Sequence, residues 1–571
     1  MKYTFALLAV LSFSSGAWAG TYSLDIARQE VNILGKPMKK ITVNGTIPGP
    51  TLRFTEGEDV TINVTNHMNE DTSLHWHGLL LPGKMDGVPG LNGFPGIKPG
   101  EAFTYRFKIR QTGTYWYHSH SNGQEQDGEY GSIVIKPKGK DPVKADKDYV
   151  VLISDFSPED AGTILGNLKM DSSYYNYAQR TISDFFHDTK TIGFKAAWKN
   201  AKDWGKMRMS QSDLSDVTGY TFLVNGKTPS QNWTGIFKPG ERVRLRFINA
   251  SAMSFFDVRI PGLKMSVVAS DGQNVEPVPV DEFRFAAAEI YDVVVTPKED
   301  KAYTIVAEPI DRTGFALATL ATREGMKDET PAQRPRALLT MMDMNMDEMM
   351  KDDPNMDMSN MSMESGWAKA GTPEGDKQLS YADLRYLGIQ KDTRKPTRTI
   401  EVRLGGNMER YIWTLNGKKH EDAEPIKLKY GERVRLNFTN ETMMAHPMHL
   451  HGNFFQLENS QPLEKLPNKN MVIVPPGGSY SVLLSANEVG EWSFHCHLLY
   501  HMSSGMMTKM VVAELGAEDM PVDKQPVNQK MNDTMPGMDH SKMGHDMKSM
   551  DNKKKEPVAS EAAQGGHNHA H

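Results

Sequence analysis

The sequence predicts an all-β protein built from three related β-sandwich domains, most simply with Greek-key topology. The chain has 571 residues, which is too long for one hydrophobic core and indicates about three or four domains. It contains 48 glycines and 32 prolines, and many short stretches alternate apolar with polar residues, as is typical of strands separated by turns. A module that recurs three times along the chain gives the number of related domains.

The repeated module consists of an Asn-Gly turn followed by a strand. In each copy a Gly-Glu pair comes next, and apolar residues then occupy every second position up to an Asn eight residues after the Glu. This alternation predicts a strand with one buried face after a glycine turn. The copies begin at Asn44, Asn225 and Asn416, and their strands end at Asn66, Asn249 and Asn440.

The segments outside the module complete the layout of the chain. Its first residues combine a lysine, a short apolar run and an A-x-A motif, which predicts a cleaved secretory signal peptide. No other long apolar run is present, so we expect no membrane span. The predicted boundaries are a signal peptide at 1–19, domains at 20–142, 143–324 and 395–516, a linker or insertion at 325–394, and a tail at 517–571.

Domains 1 and 3 each contain two His-x-His pairs at equivalent positions of the module. Because alternate residues of a strand point to the same side, each pair presents two imidazoles together. Eight imidazoles from two related domains predict a multinuclear metal site at the interface of domains 1 and 3. Domain 2 has Val258 at the position of the first histidine and no such pair, so we expect it to lack metal. The pairs are His75 and His77, His118 and His120, His449 and His451, and His495 and His497.

Cys496, the only cysteine of the chain, predicts a second metal site within domain 3. Together with His446, His501 and Met506 it offers two imidazoles, a thiolate and a weak thioether, which is the ligand set of a blue-copper electron-transfer site. Met507 is the alternative axial ligand. Zinc would account for the histidine ligands. Zinc has no redox chemistry, however, that would use a cysteine placed between two histidines of the other site. The matching positions of domain 1 hold residues that do not make the same site, namely Thr72, Ser119, Gln124 and Glu129.

Four stretches together resemble the signature motifs of the multicopper oxidases. They are HWHG at 75–78, HSH at 118–120, HPMHLHG at 446–452 and HCHLLYHMSSGM at 495–506, and the resemblance covers roughly residues 22–515. Stretches such as MDGVPGLNGFPGIKPGE resemble the periplasmic copper-resistance branch of that family. The resemblance implies three cupredoxin domains and four copper ions, of which one is type 1, one is type 2 and two form a type 3 pair.

The resemblance also implies a role for each site residue. Electrons from the type 1 copper would pass through Cys496 to its neighbours His495 and His497 and so to the other three ions. Asp86, eleven residues after His75, matches an acidic residue that assists protons at the cluster, and its alternative role is that of a turn residue. The implied ligands are His446, Cys496, His501 and Met506 for type 1 copper, His75 and His449 for type 2, and His77, His118, His120, His451, His495 and His497 for the type 3 pair.

Two features depart from relatives of this kind. Some members have a Glu directly after the second type 1 histidine, where this chain has Met502. Proton delivery along that route is therefore not expected. The signal sequence also lacks the twin arginine that many members of the branch use, so copper would be loaded after export.

Methionine-rich segments indicate the electron donor. Residues 341–363 contain ten Met among 23 residues, interleaved with Asp and Asn, and we expect no packed core there. The tail at 517–571 mixes Met with His540 and His545, and we predict that it is disordered. Because thioethers prefer Cu(I), these segments predict additional Cu(I) sites.

The favoured hypothesis is a periplasmic oxidase that converts Cu(I) to Cu(II) with dioxygen and thereby supports copper tolerance, with a periplasmic copper carrier as a possible partner. The first alternative is a laccase that acts on phenols. The second is a copper-sequestering protein in which the Met and His segments bind the metal. A net charge of −6 without a basic block excludes nucleic acid as an expected partner.

Overall fold

The computed structural model describes residues 19–176, 181–206, 214–336, 367, 372–373 and 375–514. All of these residues belong to one compact unit. They form three β-sandwiches in succession, which confirms the predicted all-β class. Three predicted segments lie outside the described residues, namely the signal peptide up to residue 18, the methionine-rich stretch at 341–363 and the tail at 517–571.

Domain 1 is a sandwich of two four-stranded sheets. Its strands are β1 (Ala19–Val31), β2 (Met38–Val43), β3 (Gly49–Thr55), β4 (Asp59–Asn66), β5 (His75–His77), β6 (Ala102–Lys108), β7 (Gly113–His118) and β8 (Tyr130–Lys136). The sheet orders are β2-β1-β4-β6 and β3-β8-β7-β5, so successive strands cross between the sheets as in a Greek key. Short 3-10 helices occur at Gly83–Met85 here and, later in the chain, at Tyr381–Asp383, Met408–Arg410, His420–Asp422 and Leu463–Lys465.

Domain 2 combines a six-stranded and a five-stranded sheet. Its strands are β9 (Lys147–Phe156), β10 (Thr221–Val224), β11 (Trp233–Ile236), β12 (Val243–Asn249), β13 (Phe256–Arg259), β14 (Met265–Ser270), β15 (Gln273–Val280), β16 (Glu282–Phe285), β17 (Ile290–Val295), β18 (Tyr303–Pro309) and β19 (Ala316–Ala321). The sheet orders are β10-β9-β12-β17-β14-β15 and β11-β19-β18-β13-β16.

Domain 3 has the same two-sheet plan as domain 2. Its strands are β20 (Arg398–Asn407), β21 (Ile412–Leu415), β22 (Ile426–Lys429), β23 (Arg433–Asn440), β24 (His446–Leu450), β25 (Phe455–Leu457), β26 (Asn468–Lys469), β27 (Met471–Val474), β28 (Ser479–Ser485), β29 (Gly490–Cys496) and β30 (Met507–Ala513). The sheet orders are β21-β20-β23-β28-β25-β26 and β22-β30-β29-β24-β27.

The asparagine that ends each repeated strand has the same role in all three domains. Its side-chain oxygen accepts a hydrogen bond from the backbone two residues later, at distances of 2.9 Å, 3.1 Å and 2.9 Å for Asn66, Asn249 and Asn440. Its amide nitrogen donates to the carbonyl four residues after Asn66 and Asn440, and five residues after Asn249. The asparagine thereby holds the loop that follows the strand, and in domains 1 and 3 this loop leads to the first histidine pair.

The repeated strand of domain 2 differs from the prediction of one buried face. Strands β4 and β23 alternate as expected, whereas every residue of β12 is buried. Both faces of β12 are buried because domain 2 also packs against domain 1. Arg246 on β12 forms an ion pair with Asp292 at 3.0 Å and donates to the hydroxyl of Thr114 in domain 1 at 2.7 Å. The outward face of β12 is therefore part of the contact between domains 1 and 2.

Four helices accompany the strands in the described part of the chain. Helices α1 (Ala161–Met170), α2 (Ile182–Thr191) and α3 (Phe194–Lys206) lie between β9 and β10, and α4 (Leu499–Ser503) follows β29. The first three were not predicted, although Asp160 caps α1 and Thr181 forms a capping box with Asp184 at α2. None of the helices in the described ranges has the length and apolar character that crossing a bilayer requires.

Within the predicted linker at 325–394, described residues on both sides of the methionine-rich stretch pack on domain 2. Glu282 forms an ion pair with Arg334 at 2.5 Å before the methionine-rich stretch and accepts a hydrogen bond from Thr372 at 2.8 Å after it. Trp367 lies edge-on against Phe255, with ring centroids 5.2 Å apart. The described residues next to the methionine-rich stretch are therefore held on domain 2. Further along the linker the chain also contacts domain 3, where Asn459 donates to the carbonyl of Tyr381 at 2.7 Å.

A buried lysine joins domains 2 and 3. Lys469 in β26 is fully buried, and its ammonium nitrogen lies 2.9 Å from a carboxylate oxygen of Asp271 and 2.9 Å from one of Glu289. The hydroxyl of Ser270 lies 2.8 Å away. Two carboxylates buried at one place need this cation, because an unpaired buried charge is strongly unfavourable.

Substitution Lys469→Met should destabilise the protein, because it leaves Asp271 and Glu289 buried without their cation. We expect the apparent free energy of unfolding to fall by about 3–5 kcal/mol, the typical effect of removing one partner of a buried ion pair. Urea unfolding measures this change, and Lys429→Met at an exposed position is the control. Equal unfolding midpoints for the two variants would contradict the assigned role of Lys469.

Candidate metal centre

Strand pairing brings the predicted histidine pairs together within each domain. In domain 1, β5 pairs with β7 so that His75 lies opposite His118. In domain 3, β24 pairs with β29 so that His449 lies opposite His495. The register is the same in both domains, as the repeated module requires. Each domain therefore presents four imidazoles from one end of one sheet.

The eight imidazoles of domains 1 and 3 meet at the interface between these domains. All eight side chains are buried, and none is more than 6 % exposed. Their ring nitrogens form groups in which the ligand atoms lie within 4.8 Å of one another, and every group combines both domains. The groups are His75, His77 and His449; His77, His118 and His497; and His120, His451 and His495.

Backbone carbonyls orient the rings at the cluster. The Nδ1 atoms of His75 and His449 lie 2.8 Å from the carbonyl oxygens of Asp86 and Asn470, and Nδ1 of His495 lies 2.9 Å from its neighbour's carbonyl. The opposite nitrogens, Nε2 of His75 and His449, are buried without a hydrogen-bond partner. A ring that donates from Nδ1 keeps the Nε2 lone pair available for a metal ion.

Asp86 contacts histidines from both domains. One oxygen of its side chain lies 2.9 Å from Nδ1 of His451, and the other lies 3.4 Å from Nδ1 of His75. The side chain is 2 % exposed. Asp86 is therefore a partner of two candidate ligands, and its role at the cluster stays a prediction.

Most of the cluster histidines are held in the neutral form that a metal ion needs. Burial lowers the pKa of His495 to about 4, and burial together with the neighbouring imidazoles lowers the pKa of His77, His118 and His449 well below the usual value. Because only a neutral imidazole has a free lone pair, these rings can bind metal without first losing a proton near pH 7.

Cys496 forms a second group with His446 and His501, entirely within domain 3. Its Sγ lies 3.6 Å from Nδ1 of His446 and 3.8 Å from Nδ1 of His501, and the two nitrogens are 3.1 Å apart. The cysteine is fully buried, and burial raises the pKa of its thiol. A bound metal ion would therefore be needed to hold it as a thiolate.

Three residues around this second group were not predicted from the sequence. Asp216 accepts from Nε2 of His501 at 2.7 Å, and the hydroxyl of Thr442 lies 2.7 Å from Nε2 of His446. Trp413 stacks on the ring of His501, with centroids 3.8 Å apart. Asp216 comes from domain 2, far from the motifs in sequence, and no pattern around it identifies the contact.

Both candidate axial methionines are buried beside Cys496. The backbone carbonyl of Met506 accepts from the amide of Cys496 at 3.0 Å, and Met507 begins β30 opposite His495. Met506 is fully buried and Met507 is 5 % exposed. The choice of Met506 as the axial ligand therefore stays a prediction, which its position next to the cysteine supports.

The four equivalent residues of domain 1 also meet, but they form an oxygen cluster. The hydroxyl of Thr72 lies 2.8 Å from Gln124 and 2.9 Å from both carboxylate oxygens of Glu129. Ser119 donates to Gln124 at 2.9 Å. Burial raises the pKa of Glu129 to about 8. Oxygen ligands without a thiolate do not suit a blue-copper site, so the two domains differ in chemistry at matching places.

The ligand atoms fit copper in both regions. Buried ring nitrogens without partners, Nε2 of His75, His118, His449 and His497, belong to the interface cluster. In the second region a thiol and two imidazoles lie together, and soft sulfur with imidazole nitrogen is a set that copper prefers. Fold and site thus define a β-sandwich protein with two separate groups of buried side chains that suit copper.

Comparisons with known proteins identify the family. The multicopper oxidase family models match residues 25–140, 179–325 and 393–515. The chain therefore belongs to the multicopper oxidases and is a copper-dependent oxidoreductase. It is 44% identical to copper resistance protein A of Escherichia coli and 45% identical to the homologue in Pseudomonas syringae pv. tomato, with 86% of this chain and 92% of each relative covered. The predicted family and its copper-resistance branch are confirmed.

Solved structures of other multicopper oxidases share the fold. The crystal structure of Fet3p, described as a multicopper oxidase that functions in iron import, matches with a TM-score of 0.65 at 20% identity and covers 87% of this chain and 90% of that one. The laccase of Botrytis aclada matches with a TM-score of 0.64 at 21% identity and covers 88% and 89%. These matches support the cupredoxin-like fold of the three domains.

Substitution Asp216→Ala should weaken copper binding at the Cys496 group, because the ring of His501 loses its Nε2 acceptor. Loss of such an outer partner typically lowers metal affinity about 10–100-fold. Competition with a copper chelator, followed by the blue absorption, measures the change. The exposed carboxylate of Asp300 provides the control, Asp300→Ala. Equal retention of blue copper in both variants would contradict the role of Asp216.

Proposed function

We propose that this protein oxidises Cu(I) to Cu(II) and reduces dioxygen to water, and that it works in the periplasm as part of copper tolerance. The main support is the covalent connection between the two metal regions. Cys496 belongs to one group, and its chain neighbours His495 and His497 belong to the other. An electron accepted in the first region therefore has a short route, through bonded residues, into the second.

The proposal includes four bound copper ions. His446, Cys496, His501 and Met506 would hold the type 1 ion, and His75 and His449 would hold the type 2 ion. The type 3 pair would use the two groups of three that remain when His75 and His449 are set apart, namely His77, His118 and His497, and His120, His451 and His495. The division of eight imidazoles into three, three and two supports this assignment.

The bound coppers supply one-electron redox chemistry and a place where four electrons can be collected. Four Cu(I) ions, one dioxygen and four protons would give four Cu(II) ions and two waters. The residues of the chain keep most of the imidazoles neutral, orient Nε2 of His75 and His449, and exclude bulk water from the cluster. Asp86, in contact with His451 and His75, is the proposed carboxylate that handles protons there.

Two observations favour Cu(I) as the reductant. The chain is similar over most of its length to proteins named for copper resistance. The sequence also contains 36 methionines, ten of them in residues 341–363, and thioethers are soft ligands that prefer Cu(I). These Met-rich segments are proposed to collect additional Cu(I). Export by the N-terminal signal, and a periplasmic copper carrier as donor, complete the proposal.

Dioxygen uptake by the copper-loaded full-length protein tests the reaction. We expect rapid uptake with a Cu(I) complex as the sole donor and slow uptake with a phenol in a parallel cell. Substitution Cys496→Ser should reduce uptake to the background rate, because the thiolate of the electron-accepting site is lost. Faster uptake with the phenol would favour a laccase. No uptake with either donor, at full copper content, would favour a copper-sequestering protein.

Deletion of residues 341–363 separates the two oxidase hypotheses. If these methionines collect Cu(I), the deletion should lower kcat/KM for Cu(I) and leave phenol oxidation unchanged or faster. A matched variant with the same methionines replaced by Leu keeps the length of the segment and removes only the sulfur atoms. Unchanged Cu(I) oxidation in both variants would remove the segment from the proposed function.

A further inference from the structure

A second buried carboxylate lies against the interface cluster. Glu125 is in the loop between β7 and β8 of domain 1, and its side chain is 3 % exposed. Its Oε2 lies 2.8 Å from Nδ1 of His118, and its Oε1 has no hydrogen-bond partner among the described residues. Neither the family motifs nor their spacing indicates this residue.

The repeat explains where Glu125 comes from. His118 and His120 in domain 1 match His495 and His497 in domain 3, and Gln124 matches His501 because each stands six residues after the first histidine of its pair. The next residue is Glu125 in domain 1 and Met502 in domain 3. Domain 3 thus has a methionine where some relatives have a glutamate beside the type 1 histidine, and domain 1 has a glutamate at the matching position.

The two matching histidines differ in their outer contacts. Nδ1 of His495 lies 2.9 Å from the carbonyl of Cys496. Nδ1 of His118 has the corresponding carbonyl of Ser119 at 3.0 Å and, in addition, the carboxylate of Glu125. Nδ1 of His118 therefore lies within hydrogen-bonding distance of two oxygens, and Nε2 of the same ring is buried without a partner.

We propose that Glu125 is a positioning residue of the multinuclear centre, which accepts from Nδ1 of His118 and holds Nε2 of that ring toward the metal. Outer-shell carboxylates on metal-binding histidines fix the tautomer and the ring orientation and raise the basicity of the ligand. The inference rests on the proposed copper occupancy of the cluster and is independent of whether Cu(I) or a phenol is the donor.

Glu125 and Asp86 act on different parts of the cluster. Asp86 contacts His451 and His75, whereas Glu125 contacts His118 in the group with His77 and His497. Both carboxylates come from domain 1. The proposal therefore assigns one outer carboxylate to each of the two three-histidine groups, with Glu125 serving the group that Asp86 does not reach.

Substitution Glu125→Met tests the proposal, because it places in domain 1 the side chain that domain 3 has at the matching position. In the copper-loaded full-length protein we expect the affinity of the multinuclear centre for copper to fall about 10–100-fold in chelator competition. We also expect a larger fraction of the bound copper to become visible by EPR, because a disturbed type 3 pair is no longer magnetically coupled. The blue absorption of the Cys496 site should remain, which shows that domain 3 is folded.

Glu125→Gln is the conservative variant, because its amide oxygen can still accept from Nδ1 of His118. Its copper affinity and EPR signal should stay close to those of the parent protein. Glu129→Gln is the matched control, a buried carboxylate in the same loop whose hydrogen bonds go to Thr72. If Glu125→Met fails to fold, Glu125→Ala takes its place. Parental copper content and EPR signal in the apolar variant, or equal losses in Glu125→Gln, would overturn the proposal. These readouts need no substrate. A failure of the parent protein to oxidise Cu(I) can therefore be distinguished from a failure of the role assigned to Glu125.

Discussion

The contact between domains 1 and 3 is the constraint on which the rest of the structure depends. Each of the three histidine groups at the cluster takes rings from both domains, so neither domain contains a complete group. A small shift of one domain would separate nitrogens that must lie within a few ångströms of one metal ion. At the edge of this contact, the side-chain amide of Asn92 donates to the backbone carbonyl of Glu491 at 2.6 Å and accepts from its backbone N–H at 2.8 Å. The metal centre therefore requires precise docking of two sandwiches.

Domain 2 contributes to this docking although it contains no metal group among the described residues. Its Arg246 forms a hydrogen bond with Thr114 of domain 1. Its Asp271 and Glu289 form ion pairs with Lys469 of domain 3. It also supplies Asp216, the carboxylate that orients His501. A domain that lacks the histidine pairs can thus still determine the geometry of both metal regions, because it contacts each of the other two through buried polar groups.

Burial of so many polar rings is unfavourable without a metal ion. Each imidazole at the cluster loses its hydration on burial, and several ring nitrogens of the cluster have no hydrogen-bond partner in the protein. Metal binding would satisfy these nitrogens and join the domains at the same time, so that copper loading and tertiary stability are linked. The outer acceptors, such as the carbonyls of Asp86 and Asn470, direct the rings before any ion arrives.

The sequence by itself determined the three-domain β architecture, the eight cluster histidines and the second group around Cys496. It could do so because strand alternation and a repeated module are local patterns, and because His-x-His pairs and the Cys-His-Met spacing lie within single strands or loops. The helices between β9 and β10 and the burial of both faces of β12 were not apparent from these patterns. Only the tertiary structure decided the partners of the ligands, since Asp216 and His501 lie 285 positions apart and belong to different domains. For Glu125 the sequence and the tertiary structure each determined a part. The repeat aligns Glu125 with Met502, whereas its contact with His118 depends on how the loop after β7 folds back on the cluster.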